Sequence, residues 1–217
     1  MAKNVVYQQS RVSKQQRQHL KQHRGCILWI TGLPASGKTT IANTLEYRLH
    51  QMGIHTYLLD GDNIRHGLNR DLYFSESDRR ENIRRIAEVA RLFVEAGIVV
   101  ITAFISPYRS DRAFARQLVE HGEFIEIYAK CPVFQCEKRD PKGLYKQARE
   151  GKLKQFTGLT APYEEPYKPE LVIETNKLRV EESINHIIKY LEANHNVLHF
   201  NRHRLVETVS TVEFLNE

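Results

Sequence analysis

The run GLPASGKTT at residues 32–40 constrains this chain more than any other stretch. It fits the pattern G-x-x-x-x-G-K-[ST], with Gly32, Gly37, Lys38 and Thr39 at the fixed positions. Before it stands CILWIT (26–31), whose β-branched and aromatic residues predict a buried strand. After it, Ile41, Leu45, Leu49 and Met52 recur at helical spacing until Gly53 offers a stop. A glycine-rich turn between a strand and a helix is an anion site. Gly32 and Gly37 let backbone N–H groups point inward, and the helix N-terminus adds partial positive charge. Lys38 is spaced to reach the β- and γ-phosphates of a nucleoside triphosphate, and the Thr39 hydroxyl to ligate Mg²⁺.

Further strands are predicted at 55–60 (HTYLLD), 98–104 (IVVITAF), 124–130 (FIEIYAK) and 170–175 (ELVIET). Helices are predicted at about 78–96, 110–121 and 180–193, the first with Ile83, Ile86, Ala87, Ala90 and Phe93 on one face. This alternation predicts an α/β fold: a P-loop NTPase-type parallel sheet with helices on both faces. Ligands then gather at the carboxyl ends of the strands. Segment 139–169 mixes charges, glycines and prolines with aromatics, and it reads as a mobile lid rather than a core element. The expected organisation is a basic N-terminal arm (1–25), a P-loop domain (26–193) and a tail of unassigned role (194–217).

Composition narrows the function. A chain of 217 residues suits one compact domain. No apolar run approaches the roughly 20 residues that cross a bilayer, so no membrane partner is expected. Residues 1–25 carry no apolar region of a secretory signal. Three cysteines without zinc-type spacing predict reduced thiols and a cytoplasmic protein. The net charge of +6 fits polyanionic substrates as well as nucleic acid. The basic residues are scattered and no RNA-type aromatic motif accompanies them, which argues against a nucleic-acid partner. No N-K-x-D base-reading motif of a GTPase is present. What remains is a kinase acting on a small molecule, with a nucleic-acid-stimulated ATPase as the rival from another class.

The acceptor side starts at Asp60-Gly-Asp62-Asn-Ile-Arg65, where the second strand ends. One carboxylate can hold Mg²⁺ or its waters while the other receives a hydroxyl proton, and Arg65 offers a bidentate fork to an anion. A polar turn capping the next element explains the same residues equally well. Arg79 and Asn82 share a helix face near an N-terminus that favours anions, and they are assigned to ligand. Arg80 and Arg84 are read as surface, free or paired with Glu81 and Glu88. Ser106, at the end of the third strand, invites a nucleophile reading. No histidine base adjoins it, and direct in-line transfer needs no covalent intermediate.

Taken together, GLPASGKTT, DGDNIRHGLNRDL, DRRENIRRIAEVARLF, ITAFISPYR, KRDPKGLYKQAREG and FTGL resemble the adenylylsulfate kinase family, over about residues 1–190. The resemblance implies transfer of the γ-phosphate of ATP to the 3′-hydroxyl of adenosine 5′-phosphosulfate, for sulfate assimilation. It implies Asp62 as general base and Ser106 as a residue traditionally given a phosphoserine role, with Lys38 as the third catalytic group. Arg65, Arg79 and Asn82 would hold the phosphosulfate, while Ile105, Ser106, Phe74, Lys142 and Phe156 enclose the nucleotide. ATP would lie on Gly32, Leu33, Pro34, Ala35, Ser36, Gly37, Lys38, Thr39, Thr40 and Arg139, with Mg²⁺ on Thr39 and Asp60. Family members are typically Mg²⁺-dependent homodimers. The residues themselves agree in part: planar arginine forks suit a sulfate–phosphate anhydride, and Phe74 and Phe156 sit in polar segments where stacking on a purine is easier to arrange than core burial. The chain departs from the usual GLSGSGKST at Pro34 and Ala35, and it has Tyr73 where glycine is common. A P-loop kinase for another small acceptor, such as a nucleoside monophosphate, is the alternative within enzymes.

Overall fold

The computed structural model describes Val6, Gln8 and residues 10–194. The remainder of the tail, 195–217, lies outside the described residues. The arm itself carries α1 (Lys14–Lys21), which the sequence analysis did not anticipate because its residues are polar on every face. A capping box starts it: the Ser13 side chain accepts from the Gln16 amide, and the Gln16 side chain accepts from the Ser13 amide. Lys14 fixes it to the body through ion pairs to Glu120 (3.1 Å) and Glu123 (2.5 Å).

The body begins with β1 (Cys26–Thr31) and α2 (Lys38–Gln51). Next come β2 (Thr56–Asp60), the short α3 (Gly61–Arg65), α4 (Glu76–Glu95), β3 (Val99–Ala103) and α5 (Arg109–Gln117). Then β4 (Phe124–Lys130), α6 (Val133–Arg139), α7 (Leu144–Arg149), β5 (Leu171–Glu174) and α8 (Val180–Asn194) complete the order. The five strands form one parallel sheet in the order β2-β3-β1-β4-β5.

Alternation along β1 divides the core into two layers. Cys26, Leu28 and Ile30 face one side, where Ile41, Leu45 and Leu49 of α2 meet Ile184, Ile187 and Leu191 of α8. Ile27 and Trp29 face the other, against Ile83, Ile86, Ala87 and Ala90 of α4. The expected sandwich of helices on both faces is therefore what forms. Since every strand runs the same way, the chain leaves all five at the same, carboxyl, end of the sheet, and the segments singled out for chemistry follow β1, β2, β3 and β4 there.

One expectation needs correcting. Segment 139–169 does contain core: Tyr145 and Phe156 are buried and meet edge to face, with ring centres 4.8 Å apart. With Leu33, Cys131, Cys136 and Ala148 they build a small third core under the phosphate loop. Its apolar residues are too widely spaced in sequence to give a periodic signal.

Candidate active site

The backbone of the phosphate loop explains its glycines. A Cβ on Gly32 would lie 2.6 Å from the Ala129 carbonyl oxygen, so no other residue fits there. Gly37 caps α2 in the left-handed region (φ 93°), where an L side chain is strained. Ala35 is also left-handed (φ 57°), at a cost of roughly 1–2 kcal/mol for a residue with a Cβ. That is a position where the usual loop has glycine.

Lys38 is buried, and its ammonium donates to the carbonyls of Gly32 (3.0 Å) and Leu33 (2.6 Å). Burial pushes it down from 10.5 to about 8, with Cys136, Asp60 and Asp62 opposing the shift. A buried ammonium whose hydrogen bonds go to carbonyls, with the nearby carboxylates acting only at a distance, is poised for an anion. Beside it the Thr39 hydroxyl donates to Asp60 Oδ2 at 2.9 Å. Asp60 Oδ1 accepts from the Asp62 amide at 3.0 Å, so this carboxylate also caps α3. Asp60 is thus a cap, as the polar-turn reading expects, and it is also bonded to the Thr39 hydroxyl of the phosphate loop. Thr39 and Asp60 supply adjacent hard oxygens, which suit Mg²⁺ completed by phosphate and water.

These groups line one wall of a cavity of about 900 Å³. Of the residues singled out from sequence, Pro34, Ala35, Gly37, Lys38, Thr39, Thr40, Asp60, Asp62, Arg65, Phe74, Arg79, Asn82, Ile105, Ser106, Arg139 and Lys142 line it. Gly32, Leu33 and Ser36 shape the loop from behind. Phe156 does not line it: it is 7 % exposed and packs on Tyr145, which corrects the expectation that core burial was hard to arrange for it. Phe74 lines the cavity and is 62 % exposed, with the Arg65 guanidinium 4.5 Å above its ring.

The acceptor wall is paired with itself. Arg79 donates to the Phe74 carbonyl (2.9 Å), the Thr157 hydroxyl (2.6 Å) and the Gln155 carbonyl (2.5 Å). Arg65 donates to the carbonyls of Leu72 and Tyr73 at 2.9 and 3.2 Å. Burial pushes both guanidinium groups below their usual value, and for Arg65 the charge of Arg79 adds to it. Asn82 is buried and accepts from the Asn69 side-chain amide at 3.0 Å. Lys142, from the lid, pairs with Asp62. Arg80 and Arg84 pair with acidic neighbours: Arg80 with Glu76 and Asp111, Arg84 with Glu81.

Ser106 is buried, with its hydroxyl already engaged. It accepts from the Trp29 indole N–H at 3.1 Å and donates to the Thr31 hydroxyl at 2.9 Å. Neither neighbour is a base, so the geometry gives no means of activating it as a nucleophile. Its backbone is left-handed (φ 40°). Trp29 and Thr31 carry no motif in the sequence, and neither does Thr175. The Thr175 hydroxyl donates to the Ser36 carbonyl at 2.8 Å, and its own carbonyl accepts from Arg139 at 2.6 Å. Thr175 directly follows the fifth strand, so the strand-end rule alone would have selected it.

A phosphate loop, a hydroxyl–carboxylate pair and an opposing wall of arginines around one cavity define a P-loop small-molecule kinase. The family model for adenylylsulphate kinase matches residues 24–174. A probable adenylyl-sulfate kinase of Halalkalibacterium halodurans is 57% identical over 190 residues, covering 88% of this chain and 94% of that protein. The adenylyl-sulfate kinase of Geotalea uraniireducens is 58% identical over 189 residues, covering 87% and 91%. The Mycobacterium tuberculosis APS kinase, solved in complex with AMPPNP and APS, superposes with a TM-score of 0.75 at 43% identity, covering 79% of this chain and 99% of that one. The chain belongs to the adenylylsulphate kinase family, and its reaction is ATP-dependent phosphorylation of adenylyl sulfate.

Proposed function

We propose that the protein moves the γ-phosphate of ATP to the 3′-hydroxyl of adenosine 5′-phosphosulfate, with Asp62 taking up the hydroxyl proton. The observation that carries this is the facing of two walls across one cavity, Lys38 with Thr39 and Asp60 on one side and Asp62 with Arg65 and Arg79 on the other. ATP binding gives the Lys38 ammonium phosphate oxygens in exchange for the two loop carbonyls it now holds. Arg139, over the loop, and Thr40 complete the donor side. Thr39 and Asp60 would hold Mg²⁺, which when bound neutralises charge on the β- and γ-phosphates.

On the acceptor side, Arg65, Arg79 and Asn82 hold the phosphosulfate, and Phe74 and the Ile105–Ser106 backbone flank the adenosine. Asp62 can accept a proton only once Lys142 releases it, and the anionic substrate offers that ammonium a new partner. The attacking 3′-oxygen forms its bond to phosphorus as the bond to ADP breaks, and its proton passes to the Asp62 carboxylate. Closure of the lid over both substrates excludes water that would otherwise hydrolyse ATP. Ser106 serves through its backbone and takes no phosphate.

The same reading makes the protein a Mg²⁺-dependent homodimer of the cytoplasm. Its three cysteines are free and buried, as a reducing compartment allows. No described helix is long and apolar enough to cross a membrane.

A coupled ADP-release assay with Mg-ATP tests the reading. ADP release is expected with adenosine 5′-phosphosulfate and not with AMP, gluconate or single-stranded DNA, and the product is expected to carry its new phosphate at the 3′ position. Turnover with another acceptor and none with this one would overturn it.

A further inference from the structure

Arg112 lies on α5 outside the cavity and belongs to no motif singled out in the sequence. It is 3 % exposed, and each of its three guanidinium nitrogens donates one short hydrogen bond. Nε donates to Glu126 Oε1 at 2.6 Å, one terminal nitrogen donates to the Ser106 carbonyl at 2.6 Å, and the other to the Glu164 carbonyl at 2.7 Å. A buried guanidinium is costly unless paired, and here Glu126 on β4 is the pair. That leaves its two terminal nitrogens for two backbone carbonyls, one from Ser106 in the loop that lines the cavity and one from Glu164 in the returning part of segment 139–169.

The two carbonyls belong to a single joint. The Glu164 amide donates to the Pro107 carbonyl at 2.8 Å, and Glu164 Oε2 accepts from the Arg109 amide at 2.7 Å. Ser106 inside this joint has φ 40°, a conformation that is strained for a non-glycine residue and persists only where its surroundings enforce it. Its side chain is held from the sheet by Trp29 and Thr31, and its carbonyl by Arg112.

We propose that Arg112 is a positioning residue for adenylyl sulfate: it fixes the Ser106 backbone in its strained conformation and couples that loop to the stem of the lid. A lysine cannot replace it. One ammonium on a flexible stem can satisfy Glu126 but cannot hold two carbonyls in the fixed directions of a guanidinium. The inference rests on the proposed acceptor site, since Ser106 lines that part of the cavity and Arg112 touches neither substrate.

The test is Arg112→Lys, which keeps the buried charge pair and so preserves folding, with steady-state constants for each substrate varied separately. The KM for adenosine 5′-phosphosulfate is expected to rise at least about tenfold, as for misplacement of a substrate contact, with the KM for ATP within about twofold. Wild-type protein is run alongside. If the wild type does not use this acceptor, the functional reading fails; if it does and the variant matches it, the positioning role fails. A merely structural role would lower the melting temperature or the active fraction and leave both KM values unmoved, and that result also overturns the proposal. Should Arg112→Lys not fold, the double variant Arg112→Met with Glu126→Leu serves instead, because it replaces both partners of the buried pair by apolar side chains and leaves no unpaired charge. It removes both carbonyl contacts, so the same rise in the acceptor KM with little change in the ATP KM is expected, and an unmoved acceptor KM would overturn the clamp.

Discussion

The two walls of the cavity are built in different ways. On the donor wall the recognition element is main chain: a glycine that admits no Cβ, a second in the left-handed region and the N-terminus of α2. Its one strongly shifted side chain, Lys38, is buried with its hydrogen bonds going to carbonyls. The other wall presents long charged side chains from three segments, each already bonded to something else: Arg79 to 155 and 157, Arg65 to 72 and 73, Lys142 to Asp62. A preorganised wall pays its cost on folding, whereas a self-paired wall pays it on binding, by exchanging one set of partners for another. The donor wall should therefore resist change elsewhere in the protein. The acceptor wall should depend on every residue that orients it.

Arg79→Lys breaks the contrast hardest on the acceptor side. It keeps the charge and loses the planar fork, so the KM for adenosine 5′-phosphosulfate is expected to rise about 10- to 100-fold, the worth of a charge-assisted bond. The ATP constant should stay put, and parallel saturation curves for the two substrates check this. A smaller effect comes from pH and touches only the donor wall. Phosphates favour charged Lys38, whose ammonium titrates near 8, so ATP affinity is expected to weaken several-fold from about pH 7 to about pH 9. For stability the sign reverses. The cost of burying the charge is full below about 8 and disappears as pH rises towards 10.5, so over that window the ligand-free protein gains stability while losing ATP affinity. Calorimetry at both pH values reads the two trends together, and an ATP affinity that does not move would remove Lys38 as the titrating contact.

The same difference explains what could be read from the sequence. The donor wall is contiguous: strand, loop and helix follow one another within residues 26–51, and the spacing of glycines, lysine and hydroxyl reports main-chain geometry directly. Strand ends predicted from apolar runs lie within about a residue of those observed, so the positions of DGD and FISP just after β2 and β3 were legible. The acceptor wall is legible only in part, because side chains that orient others leave no local pattern. Trp29 looks like any strand aromatic until its indole is seen to donate to Ser106. Arg112 looks like a surface arginine of an amphipathic helix, and its burial depends on Glu126 and on a carbonyl 52 residues away. Phe156 was expected against ligand because its neighbours are polar. Its actual partners, Tyr145 and Leu33, come from elsewhere in the chain. The α1 helix escaped notice because it is anchored by ion pairs of Lys14 and has no apolar stripe.

Asp62→Asn is the most direct test of how the two walls meet. The amide keeps the shape of the side chain and cannot accept the proton of the 3′-hydroxyl. The maximal rate with adenosine 5′-phosphosulfate is expected to fall at least about 10²-fold, with ATP affinity unchanged because the donor wall is intact. A near-normal rate would contradict Asp62 as the proton acceptor.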